Sequence, residues 1–187
     1  MVDEFHFERV SKSGAVFDRE KLNWMNQQYL LKLPEEEYFR MIDHVIQKGD
    51  YHDQDSGKIR QAAEILKTRL VTLSDLNQKL GLFFEENPEI KDLQAIEVLK
   101  EDNSKTVLKE FLQQAKNLDQ LTSDNLGQLV KSVQKTTGIK GRGLWMPLRC
   151  AITREVSGPE LPAMLDFFGG EKCLHLIRQT LENPSLN

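Results

Sequence analysis

The chain has 187 residues, 39% of them hydrophobic and 29% charged, with a net charge of −4. That composition suits one or two folded domains and excludes an intrinsically disordered chain. No apolar run reaches the roughly 20 residues of a membrane span, Met1 to Arg9 carries no signal-peptide core, and two cysteines, Cys150 and Cys173, form no disulfide framework and point to a reducing cytoplasm.

Aromatic residues are sparse and β-branched runs short, which favours helix. Phe5 and Phe7 alternate with polar residues, and Lys12-Ser13-Gly14 reads as a turn. Asp18 can cap a short helix with Leu22, Met25 and Tyr29 on one side. Pro34 opens the next helix. Glu35, Glu36 and Glu37 suit the positive end of its dipole better than they suit acid–base catalysis. Tyr38, Met41, Ile42, Val45 and Ile46 mark its apolar face, and Gly49 stops it.

A third helix carries Ile59, Ala62, Ala63, Leu66 and Leu70 and ends near Val71-Thr72-Leu73. Ser74 can cap a fourth, with Leu76 and Leu80, which Pro88 breaks off. Two more are predicted around Leu93–Lys100 and Ser104–Asn117, and another from Ser123 with Leu126, Leu129, Val130 and Val133. Thr136 to Pro147 (TTGIKGRGLWMP) then reads as a glycine-loosened, positively charged loop, before Leu148 to Thr153 resumes an apolar pattern. Ser157 and Glu160 fit a capping box for a helix with Leu161, Met164, Leu165 and Phe168. Gly169-Gly170 ends it, and a last helix runs near Glu171–Leu181.

Net charge hides a local asymmetry. Lys131, Lys135, Lys140, Arg142, Arg149 and Arg154 follow one another with no Asp or Glu between them. One basic face of that kind can bind RNA phosphates on an acidic protein. Other chemistry is thinly supported. The glycines Gly138, Gly141 and Gly143 fit neither a P-loop nor a dinucleotide fingerprint. His6, His44, His52 and His175 are scattered, and His175 does not share a helix face with Cys173. The Asp50–Asp55 run before Gly57 fails as a calcium loop because Ala63 falls where the bidentate glutamate belongs.

Two segments carry a resemblance. FERVSKSGAVFDREKLNWMNQQYL (Phe7 to Leu30) and TGIKGRGLWMPLRCAITREVSGPEL (Thr137 to Leu161) look like the post-catalytic region of bacterial glutamyl-tRNA synthetases. Both are long, and they stand in the family's order and spacing. The chain between them, including Leu66–Leu76, is similar with less specificity. The family's two ATP-binding motifs, of HIGH and KMSKS type, are not in the sequence, and Ser11-Lys12-Ser13 only mimics the second.

The resemblance implies an all-α fold. Residues 1–33 would be the tail of a tRNA stem-contact region, and 34–118 and 119–187 two helical anticodon-binding subdomains. The expected partner is the tRNA for glutamate, with no DNA and no membrane, bound by a monomer in the cytoplasm. No cofactor is expected in this fragment, since ATP and Mg belong to the absent catalytic domain, and the chain is expected to be inactive as a ligase alone. Arg149 matches an arginine the family uses on anticodon bases. Pro159 and Leu161 match positions that contact anticodon nucleotides, and Gly158 stands where a relative has threonine. Arg69 resembles the arginine that separates glutamate from glutamine anticodons, and Lys21 and Trp24 fall where the family touches the tRNA stem.

The physical chemistry of these residues agrees. Specific RNA reading targets unstacked bases, and a guanidinium offers a planar donor fork and a stacking face. Lys140 and Arg142 suit phosphates, and Trp145 suits base stacking. Structural roles stand beside each: an ion pair for Arg149, a solvated helix face for Arg69, helix initiation and core burial for Pro159 and Leu161. For Trp145 and Trp24 core packing is the expected role, ahead of RNA contact. The competing function is a helical protein-interaction scaffold without RNA binding. A self-contained enzyme finds no residue set to support it.

Overall fold

The computed structural model describes residues 17–186. The readings of Phe5, Phe7 and Lys12-Ser13-Gly14, and residues 7–16 of the first motif, lie outside the described residues. Among those described, every regular element is helical: α1 (Arg19–Lys32), α2 (Glu35–Ile46), α3 (Ser56–Leu66), α4 (Asp75–Phe84), α5 (Leu93–Lys100), α6 (Asp102–Ala115), α7 (Ser123–Thr137), α8 (Arg142–Thr153) and α9 (Leu161–Glu182). Lys67–Arg69 and Pro184–Leu186 form 3-10 turns.

Side-chain caps set four of the helix starts among the described residues. The carboxylates of Asp18, Asp55 and Asp92 accept from Lys21, Lys58 and Gln94 backbone N–H groups and cap α1, α3 and α5. Thr122 and Asn125 form the reciprocal capping box of α7. Two expected caps fail. Ser74 makes no side-chain cap bond; Asp75 instead accepts from the Thr72 N–H at 2.8 Å. The Ser157–Glu160 box does not form either, because α9 starts at Leu161 with Glu160 as its N-cap and Pro162 in the first turn.

The glycine-rich segment is mostly helix rather than loop. α7 continues to Thr137, Gly138 turns left-handed at φ 73°, and α8 begins at Arg142, so the loop shrinks to residues 138–141. Pro147 lies inside α8. Its missing N–H would have bonded to Gly143 in the first turn, where a carbonyl can tilt aside most easily. Gly169, at φ 76° and ψ 163°, interrupts α9 as the Gly169-Gly170 reading expects.

Packing joins α2, α3 and α4 to one another, and α5 to α9 into a larger group. A cut at 118 would part α6 from α7, which lie side by side; the packing partners change instead between α4 and α5. One continuous core spans both groups. Across the seam, Phe83 and Phe84 of α4 meet Phe167 and Phe168 of α9 edge-on or tilted, with centroids 4.8–6.2 Å apart. α1 differs from the others. Leu22, Met25 and Tyr29, the apolar side read from the sequence, are exposed, while Asn23, Asn26 and Gln27 are half-buried around the single buried Leu30. Its tie is polar: the Gln27 amide donates to the Thr68 carbonyl at 2.8 Å.

Candidate nucleic-acid interface

Arg69 ends the 3-10 turn between buried Leu66 and buried Leu70, and its own side chain stays partly exposed. The turn is held from below. Tyr38 Oη donates to the Ala63 carbonyl at 2.7 Å, and Lys67 Nζ lies 4.6 Å from the Tyr38 ring centre. Arg149 lies on the third turn of α8, next to buried Leu148 and Cys150. The two arginines converge on one carboxylate. Glu160 Oε2 accepts from Arg149 Nη2 at 2.9 Å, and Oε1 lies 3.5 Å from Arg69 Nη2. The arginine side chains are 25% and 32% exposed and that of Glu160 65% exposed, so the group is open to solvent.

The α8–α9 connection that carries Glu160 is anchored by polar contacts. Asp92 Oδ2 accepts from the Val156 N–H at 2.9 Å while its other oxygen caps α5. Thr153 Oγ1 lies 2.9 Å from the Arg149 carbonyl and 3.0 Å from that of Glu155. Gly158 packs on this threonine so closely that a Cβ there would overlap its side chain. A threonine at 158 therefore does not fit, and the position offers no side-chain contact. Pro159 is buried but lines a cleft of about 220 Å³, with Arg69, Lys79, Asp92, Arg154 and Glu155 among its other walls. Lys79 and Glu155 pair across it at 3.5 Å. Leu161 is 3% exposed and its side chain belongs to the core.

On α8, Arg142, Trp145 and Arg149 share one face at i, i+3, i+7 spacing. Trp145 is 43% exposed and Trp24 60% exposed, so the core-packing expectation fails for both. Lys140 and Arg142 are exposed at the start of this stripe. Lys21 and Trp24 are exposed on α1, which lies against the 3-10 turn of Arg69 without reaching either arginine by a described hydrogen bond.

The basic face loses one member. Arg154 caps α8 in a left-handed conformation, φ 64°, and its guanidinium is buried. Nη1 donates to the Ala151 carbonyl and Thr180 Oγ1, both at 2.8 Å, and Nη2 to Gln179 Oε1 at 3.2 Å. Nε is buried without a partner, and burial pulls the pKa down to about 10. Among the described residues no ion pair neutralises it, so Arg154 staples α8 to α9 rather than facing a ligand. Glu160 is the residue sequence reasoning missed. Its place in a capping pattern hides the fact that its side chain turns to two arginines, one from another part of the chain.

No group of three or more His, Cys, Asp or Glu able to hold a metal is found among the described residues, and no described helix is long and apolar enough to cross a membrane. Among curated proteins the chain is 33% identical over 183 residues to a glutamate–tRNA ligase of Geobacillus stearothermophilus, covering 95% of this chain and 37% of that protein. It is 37% identical over 176 residues to a glutamate–tRNA ligase of Lactiplantibacillus plantarum, covering 91% and 35%. The chain thus spans little more than a third of the length of these relatives. A crystal structure of a glutamate tRNA ligase from Elizabethkingia meningosepticum shares the fold, with a TM-score of 0.67 at 24% identity over 97% of this chain and 36% of that one. Residues 26–181, from the middle of α1 almost to the end of α9, match the family described as anticodon binding domain. With the two arginines, the open cleft and the exposed α8 stripe all inside that span, the chain belongs to the anticodon-binding domain family.

Proposed function

We propose that the chain reads the anticodon loop of the tRNA for glutamate, as the RNA-binding part of a glutamate–tRNA ligase. One observation carries this reading. Arg69 and Arg149, from different helix groups, converge on an exposed carboxylate beside a cleft walled by Pro159. Two guanidinium forks at one point suit the edges of an unstacked base. Trp145 supplies a ring for a neighbouring base, and Lys140 and Arg142 follow the phosphates without choosing sequence. Lys21 and Trp24 extend the contact towards the stem. The existing ion pairs do not bar this. Exposed pairs of this kind contribute about 0–1 kcal/mol each, less than charge-assisted bonds to RNA can return.

This chain acts as a monomer and needs no cofactor for the step; ATP and Mg serve chemistry outside it. The scaffold alternative draws on one observation, the apolar outer side of α1, and predicts no RNA binding even at low salt. Fluorescence anisotropy with matched and scrambled anticodon stem-loops decides between them. We expect preference for the matched loop, weakening with salt. Arg149→Ala should lower matched binding by about 1–3 kcal/mol, and Arg69→Gln should relax discrimination between glutamate and glutamine anticodons. Equal affinity for matched and scrambled loops would remove the proposal.

A further inference from the structure

Glu160 is an anomaly in a surface meant for a polyanion. It stands at the N-cap of α9, yet its carboxylate makes no cap bond there. Each of its oxygens faces a different arginine, at 2.9 Å and 3.5 Å. Arg149 and Arg69 reach it from α8 and from the 3-10 turn, elements with no other described ion pair between them. Its own side chain is two-thirds exposed, so rotation into water meets no packing barrier.

We propose that Glu160 is a specificity-determining residue that acts as a placeholder: it occupies both guanidinium forks in the free protein and yields them only to a loop whose bases replace its two acceptor oxygens. The inference rests on Arg69 and Arg149 being the base-reading pair. Its physical basis is competition. Without a carboxylate between them, two exposed cations within reach of one point would take any phosphate, and phosphate binding carries no sequence information. With it, an incoming phosphate meets one net positive charge instead of two, and also the repulsion of the carboxylate. A fitting base edge is neutral, so it escapes that repulsion and satisfies the donors the carboxylate leaves. Glu160 therefore penalises charge-only binding more than matched binding, a repulsive element that sharpens a difference of affinities.

The test is Glu160→Gln in the full chain, titrated with matched and scrambled anticodon stem-loops over a range of salt. The change keeps size and one acceptor and removes the charge. Scrambled-loop affinity should rise about three- to tenfold, matched-loop affinity should rise less, and the salt slope for the scrambled loop should steepen by about 0.7, one further phosphate on a single strand. In an Arg69→Gln, Arg149→Gln background the same replacement should change nothing. Several results overturn the placeholder alone, while the unaltered chain still discriminates: unchanged scrambled binding, a loss of matched binding that shows the carboxylate itself reading a base, or an equal rise in the arginine-less background that shows only a generic charge effect. A chain that fails to discriminate before any replacement overturns both this inference and the function it rests on.

Discussion

Gly158 packs directly on Thr153, and its role is steric. A Cβ at this position would overlap the Thr153 side chain, which itself bridges the Arg149 and Glu155 carbonyls. Gly158→Ala should therefore destabilise the chain by about 1–3 kcal/mol, read as a lowered urea midpoint with unchanged slope. Arg149 stands out in the sequence because a long motif surrounds it, and Arg69 through a less specific likeness of the Leu66–Leu76 stretch. Glu160 does not, because a Ser-x-x-Glu spacing is explained locally by a capping box and says nothing of an arginine 91 residues away. The tryptophans mislead for a related reason. A large apolar ring suits a core by composition alone, and only the packed structure shows that Trp145 and Trp24 lie outside it.

Among the elements, those with a clear apolar stripe are the legible ones. Ile42 and Ile46 of α2, and Leu126, Leu129, Val130 and Val133 of α7, are buried as their spacing demands. α8 escapes the reading because three glycines and a proline within ten residues count as breakers, yet Gly138 and Gly141 alone take positive φ and Pro147 is accommodated in the helix. The break in α9 has a defined cause and a defined use. Gly169 adopts φ 76°, ψ 163°, a region open in practice only to glycine, and the turn there leaves Phe167 and Phe168 against Phe83. Gly169→Ala should cost about 1–3 kcal/mol through backbone strain and loosen the aromatic seam, visible as a lower melting temperature together with a changed near-UV circular dichroism of the phenylalanine bands.

For the molecule as a whole, buried ionisable groups set an alkaline limit. Burial pushes the thiols of Cys150 and Cys173 up to about 11 and about 12 from an ordinary 9.0, and drives Tyr38 upward as well. As pH passes 9 the unfolded chain loses thiol protons that the folded chain keeps, so it binds fewer protons and stability falls. Arg154 works in the opposite sense, because the folded chain sheds its proton near pH 10 while the unfolded chain holds it to a higher pH. Between pH 9 and 10 the acids dominate. Stability under reducing conditions should fall on the order of 2 kcal/mol from pH 8 to pH 10, measured as the shift in urea midpoint.

The inverted α1 makes the two halves of the arginine pair mechanically unequal. Arg149 rides on α8, where seven of twelve residues are buried, whereas Arg69 ends a three-residue turn roofed by a helix whose single buried residue is Leu30. α1 should open at a small fraction of the global free energy, with its amides exchanging in deuterium well before those of α8. The grip is then one stiff jaw and one compliant jaw: the first sets where a nucleotide lands, and the second gives way until the fit is made.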